Sequence, residues 1–186
     1  MLTRQKEMTK EEFYHFVMLP ENRERNFEYI AGEIVEVVSS GKSSREAIRL
    51  VARVSVHVED NNLGWVTGAD GGYVVVGHDF IPDGAFISLA RQPEESNVAY
   101  NPLAPDLAIE MLSPGNTTEE MTFKVGCYLA AGTVVWLGDP DKKTIDVLTP
   151  GKPAVRLRIG DTLEGGNILP GFKMAIARIF VGAEGN

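Results

Sequence analysis

The 186-residue chain has a single cysteine, Cys127, which excludes an internal disulfide and any zinc cluster built on cysteines. Its place in a helical pattern makes it a buried structural thiol. Long apolar runs are missing too. No stretch approaches the roughly 18 to 20 residues a membrane span needs, and the opening MLTRQKEMTKEEF has charge without the apolar core of a signal peptide. A soluble, cytoplasmic protein is expected. Positive charge is scarce, with 18 Lys and Arg against 26 Asp and Glu for a net charge of -8. Non-specific binding to nucleic acid draws its affinity from cations neutralising phosphates, so any such contact here needs a local basic patch on an acidic body. The three histidines, His15, His57 and His78, have neither ligand nor triad spacing. Ser113 lacks the glycines of a nucleophile elbow, so serine-hydrolase chemistry ranks low.

What is present reads as one α/β domain over residues 1–186, with a mixed sheet and helices on both sides. Thr9 and Glu12 form a capping-box start to a helix carrying Phe13, Phe16 and Val17, which Pro20 closes. FEYIAGEIVEVV, residues 27–38, reads as a hairpin turning at Gly32 and displaying Glu28, Glu33 and Glu36. The longest helical pattern runs from Ser39 to Asp60, with Ala47, Val51, Val54 and Val58 on one face. Short strands follow at 65–67, 73–76 and 85–89, the last after a Pro82-Asp83-Gly84 turn. Residues 91–105 are polar and proline-rich, a loop long enough to overhang a site. Leu107 to Leu112 reads as a strand buried on both faces. A helix then starts at Thr117 or Thr118 and stops at Gly132, a second buried strand covers 133–137, and strands at 144–148 and 155–159 precede a short amphipathic helix in the tail.

One residue breaks the apolar strand at 107–112, and it is Glu110. A buried carboxylate without a partner is costly, so the fold must bring one to it. Asp83, 27 residues upstream, fits a neighbouring strand, although Pro-Asp-Gly alone is more often just a turn. Asp83, Glu110 and the carbonyl of Met111 make an adequate oxygen site for Mg²⁺, with Mn²⁺ as an alternative, and such an ion suits phosphodiester hydrolysis. Lys124 on the following helix supplies a point charge or, at lowered pKa, polarises the attacking water; the bland alternative is a solvent-facing lysine. Tyr128 lies one turn on and either joins the site or packs, and Glu33 is a third possible carboxylate. Lys42, Arg45, Arg49 and Arg53 form a cationic stripe on the long helix. Most such stripes are solvated faces, yet in so acidic a chain this is where a nucleic-acid backbone would be met.

The ordered set IAGEIVEV, GADGGYVV, IPDGAFIS, PDLAIEMLSPGN, the helix with Lys124 and Tyr128, VVWLGDP and GGNILPGF resembles the Uma-type "putative restriction endonucleases" across nearly the whole chain. The resemblance implies a PD-(D/E)xK nuclease fold, an α/β/α core, Mg²⁺ dependence and often a homodimer. By position it makes Asp83 the motif aspartate, Glu110 the second acidic residue and Glu33 the acid from the N-terminal part. The lysine expected two residues after Glu110 is Leu112 here. Members with that leucine take the lysine from the next helix, where Lys124 stands. The leading expectation is an Mg²⁺-dependent endonuclease acting on nucleic acid, most simply DNA. The alternatives are a catalytically silent interaction module on the same fold and a hydrolase of small phosphoesters.

Overall fold

In a computed structural model, residues 8–181 are described and form a mixed α/β architecture. The elements in order are α1 (Lys10–Val17), β1 (Phe27–Ile30), β2 (Glu33–Glu36), α2 (Gly41–Asp60), β3 (Gly64–Gly68), β4 (Gly72–Val75), β5 (His78–Phe80), β6 (Gly84–Ser88), β7 (Tyr100–Asn101), β8 (Leu107–Met111), α3 (Thr118–Ala130), β9 (Val134–Asp139), β10 (Thr144–Leu148), β11 (Val155–Leu157), β12 (Thr162–Glu164) and β13 (Lys173–Ala175). The larger sheet has the order β11-β10-β9-β8-β6-β3 and the smaller one β2-β1-β5-β4-β7, with β12 and β13 forming a separate hairpin. β8 and β9 run parallel with α3 as their crossover, whereas β6 and β8 run antiparallel.

The two-residue period of β8 sorts its side chains between two layers. Leu107, Ile109 and Met111 pack with Leu50, Val51 and Val54 of α2 and with Trp136 and Phe172. Ala108 points the other way, into a cluster with Val125 and Tyr128 of α3, Val135 and Phe80. Odd positions of β8 therefore meet α2 and even positions meet α3, which sends Glu110 to the α3 side. The strand is buried from Leu107 to Met111, which is why it reads as an unbroken apolar run interrupted by one acid.

All three α-helices start as their sequences require. The Thr9 and Glu12 side chains cap α1 reciprocally, and Thr117 and Glu120 do the same for α3. Ser40 caps α2 by accepting the Ser43 N–H. Gly84 opens β6 rather than completing a turn, and a Cβ there would lie 2.3 Å from Val51 Cγ2. Its missing side chain lets α2 lie close against the sheet.

Three local expectations are corrected. β5 and β7 are additional strands, too short for a periodic pattern to reveal. The segment 91–105 does not overhang the acidic site: β7 within it pairs with β4, Gln92 accepts from Asn101, and Arg91 pairs with Asp106. The tail helix is a single 3-10 turn at Ile176–Arg178.

Candidate active site

Four charged side chains meet where the two sheets join. The chain leaves the smaller sheet at β5 and enters the larger one at β6, and Ile81 and Asp83 lie in that link. Glu28 comes from β1, Glu110 from β8 and Lys124 from α3. They line a cleft of ≈ 250 Å³ together with Met111, Ser113, Asn116 and the hairpin residues 35–38.

The pairs Gly84 with Ile109 and Ala85 with Ala108 set the register of β6 against β8. One step further, Asp83 faces Glu110, and directly opposed residues of an antiparallel pair share a face. Asp83 Oδ2 accepts the Met111 N–H at 2.7 Å, which ties the aspartate to the end of β8. Glu110 Oε1 takes the Lys124 ammonium at 2.8 Å and the Tyr128 hydroxyl at 3.2 Å. Lys124 Nζ also donates to Glu28 Oε1 at 2.7 Å, and that same oxygen accepts the Ile81 N–H at 2.7 Å. Lys124 and Tyr128 reach one site because residues four apart share a helix face.

The electrostatics follow from three carboxylates around one buried ammonium. Burial is the largest influence on Glu110; Lys124 opposes it, while Asp83 and Glu28 reinforce it, so the carboxyl is pushed up to about 8. Burial alone would depress Lys124, yet Glu110 and Glu28 outweigh it and its pKa is raised. These directions are compatible because three carboxylates surround one ammonium, so the carboxyls hold protons more readily while the ammonium is held charged. Asp83 is raised by burial and by Glu28, against the Met111 N–H and Lys124. Lys124 is thus a fixed cation, not an amine of lowered pKa.

A hard divalent ion typically takes one or two carboxylates, with water and substrate phosphate completing its shell. Asp83 and Glu110 each commit one oxygen to protein donors, leaving Asp83 Oδ1 and Glu110 Oε2 outside those bonds. That donor set fits such an ion, and the excess negative charge around a single ammonium favours one. Among the described residues no group of three or more His, Cys, Asp or Glu side chains is arranged to hold a metal.

The other site residues expected from sequence lie elsewhere. Glu33 is exposed on β2 opposite Ile30 and does not line the cleft. Glu28, read from sequence as a displayed hairpin charge, is the buried carboxylate from the N-terminal part. The signal for it was present: like Glu110, it interrupts an apolar strand, FEYI. The cationic stripe is also not at the cleft. Lys42 pairs with Asp141 at 2.8 Å, and Arg49 donates to the Ile179 and Val181 carbonyls. Arg45 and Arg53 remain exposed on α2.

Known proteins agree with this arrangement at the level of fold and family. A crystal structure described as that of "a putative nuclease belonging to DUF820", from Anabaena variabilis, superposes with a TM-score of 0.75 at 24% identity, covering 84% of this chain and 90% of that one. It shares the restriction-endonuclease-like fold. No curated protein matches the chain. No helix of the described residues is long and apolar enough to cross a membrane. The family model Uma2, whose description is "Putative restriction endonuclease", matches residues 11–177, from α1 through the β12–β13 hairpin and past Glu28, Asp83, Glu110 and Lys124, and the chain belongs to that family.

Proposed function

We propose that this protein is a divalent-metal-dependent endonuclease that hydrolyses phosphodiester bonds of nucleic acid. The observation that carries the reading is the convergence of Asp83 and Glu110 on one cleft beside the charged Lys124. Asp83 and Glu110 would hold Mg²⁺ or Mn²⁺, with Met111 at the same strand end. Such an ion, when bound, neutralises charge on a scissile phosphate and lowers the pKa of water. Lys124 presents a preorganised positive charge to a phosphate entering the cleft, already oriented by Glu28 and Glu110. Tyr128 holds the Glu110 carboxylate by donating its hydroxyl to Oε1 at 3.2 Å. The hairpin residues 35–38 and the Ser113 to Asn116 turn wall the cleft on either side.

The test is incubation of the pure protein with Mg²⁺ or Mn²⁺ and mixed DNA and RNA, beside Asp83→Asn and Glu110→Gln. Cleavage that requires the ion and is lost in both variants supports the proposal. Cleavage equal in parent and variants overturns it.

A second reading, a catalytically silent module, is favoured by Leu112 at the position where the wider nuclease pattern has lysine, and by a Lys124 that already satisfies two carboxylates. Calorimetric titration with Mn²⁺ separates the two. No binding at the Asp83 and Glu110 pair favours the silent module.

A further inference from the structure

A groove runs between α2 and the C-terminal segment, on the side of the larger sheet away from Glu110 and Lys124. It has two adjoining stretches of ≈ 530 and ≈ 460 Å³, which share Arg53, Val56, Met174 and Arg178. Arg49 donates to the Ile179 and Val181 carbonyls at 3.3 and 2.8 Å and so fixes the C-terminal segment as one wall. Arg53 of α2 and Arg178 of the 3-10 turn, both exposed, have no hydrogen-bond or ion-pair partner among the described residues. Lys173 is already matched by Glu164 at 2.7 Å, and Asp60 at the far end is the one carboxylate that lines the groove. In a chain of net charge -8, two unmatched arginines facing one groove make a local positive field that an anionic group would relieve.

Two further features select the kind of anion. The floor is apolar, with Val56 and Val181 53% and 50% exposed and Ala52 beside them. A sugar-phosphate backbone would match the cations and leave that floor in water. The second feature is a strand edge. Residues of β13 line the groove and none of β12 does, so the groove follows the edge of β13 that has no strand partner. The Gly165 N–H donates to the Phe172 carbonyl and the Ile176 N–H to that of Asp161. By the alternation of an antiparallel ladder, the N–H groups of Lys173 and Ala175 therefore turn outward, to that edge.

We infer that this groove docks an acidic segment of a partner protein, laid in extended form along β13. The segment's main chain pairs with the open strand edge, and its side chains alternate between two faces. Carboxylates on one face meet Arg53 and Arg178, and apolar side chains on the other cover Val56 and Val181. No residue of the acidic cleft takes part, so the docking stands or falls independently of the proposed nuclease chemistry.

Fluorescence anisotropy tests it with the full chain and a labelled peptide of alternating Glu and Val, beside its Glu-Ser counterpart and a labelled oligothymidylate. The variants are Arg53→Glu with Arg178→Glu, and Ala175→Pro, which removes an outward N–H where the φ of -63° already suits proline. Circular dichroism checks folding, and Arg53→Gln with Arg178→Gln replaces the double reversal if that does not fold. The Glu-Val peptide should bind the parent more tightly than the Glu-Ser peptide does. Its affinity should fall on the order of a hundredfold in the double reversal and about tenfold in Ala175→Pro. A parent that does not bind the Glu-Val peptide, or binds it no better than Glu-Ser, overturns the inference. So does an affinity unchanged by either variant. Oligothymidylate held by the parent in place of the peptide, and released by the double reversal, would overturn it by giving the groove to phosphates.

Discussion

Lys124 on α3 and Glu28 on β1, 96 residues apart in sequence, meet at 2.7 Å in a buried bond that links the crossover helix to the smaller sheet. The same ammonium holds Glu110 at 2.8 Å, so one cation balances carboxylates from two sheets. Removing one partner of a buried charge pair leaves the other uncompensated, a loss of about 3 to 5 kcal/mol. Lys124→Met should therefore destabilise the protein by that order in urea unfolding. Adding Glu28→Gln removes one stranded charge and should recover part of the loss. A double variant no more stable than the single one would show that the two residues are not coupled.

Glu28 and Glu33 give opposite expectations. Glu28 orients Lys124 and accepts the Ile81 N–H, whereas Glu33 is exposed on β2. Partners that orient catalytic groups are typically worth about 10- to 100-fold in activity or metal affinity. On the proposed nuclease activity, metal-dependent nicking of supercoiled DNA should fall by about that much in Glu28→Gln. It should be unchanged in Glu33→Gln. Loss in Glu33→Gln with none in Glu28→Gln would reverse the assignment.

Gly84 couples the site to α2. A Cβ at this position would lie 2.3 Å from Val51 Cγ2, and the residue directly follows Asp83. Overpacking of a filled core costs about 1 to 3 kcal/mol. Gly84→Ala should lower stability by that order, and Val51→Ala in the same chain should cost less than the sum of the two single changes. Strict additivity in thermal unfolding would mean that the two residues do not compete for one space.

These relationships explain which parts of the molecule were legible in its sequence. Capping boxes, the α2 periodicity and the doubly buried β8 are local patterns, and they reappear with little change. Glu110 was legible because a lone acid in an apolar strand requires a partner. Glu28 poses the same problem, but in a hairpin it looked displayed, and the partners that meet its buried carboxylate, Lys124 and the Ile81 N–H, lie 96 and 53 residues away. The fate of the α2 cations was equally non-local. Arg49 is consumed by carbonyls 130 and 132 residues away, and no spacing within the helix announces that. The 91–105 segment has loop composition, yet Tyr100 donates its hydroxyl to the Phe27 carbonyl and draws it toward the smaller sheet.

The pH dependence of folding should carry a mark of His78. Its Nδ1 accepts the Ala31 N–H at 3.1 Å, a bond that needs an unprotonated nitrogen at the turn of the β1–β2 hairpin. Burial and the nearby Lys10 lower its pKa from the ordinary value of 6.5, with Asp79 opposing them. A lowered histidine pKa means that the unfolded chain takes up the proton first. The stability from the neutral ring is therefore complete above pH 6.5 and declines as pH falls toward the lower folded value. Asp79 beside it has its own pKa raised from 3.8, chiefly by burial, so the folded chain takes up that proton first and its titration opposes the acidic decline. Comparing the parent with His78→Gln isolates the imidazole, since the amide does not titrate. Urea unfolding from pH 7.5 downward should show the parent losing more stability than the variant between neutral pH and pH 5, on the order of a few tenths of a kcal/mol for a partly exposed group. Parallel profiles would mean that the Ala31 bond does not depend on the protonation of this ring.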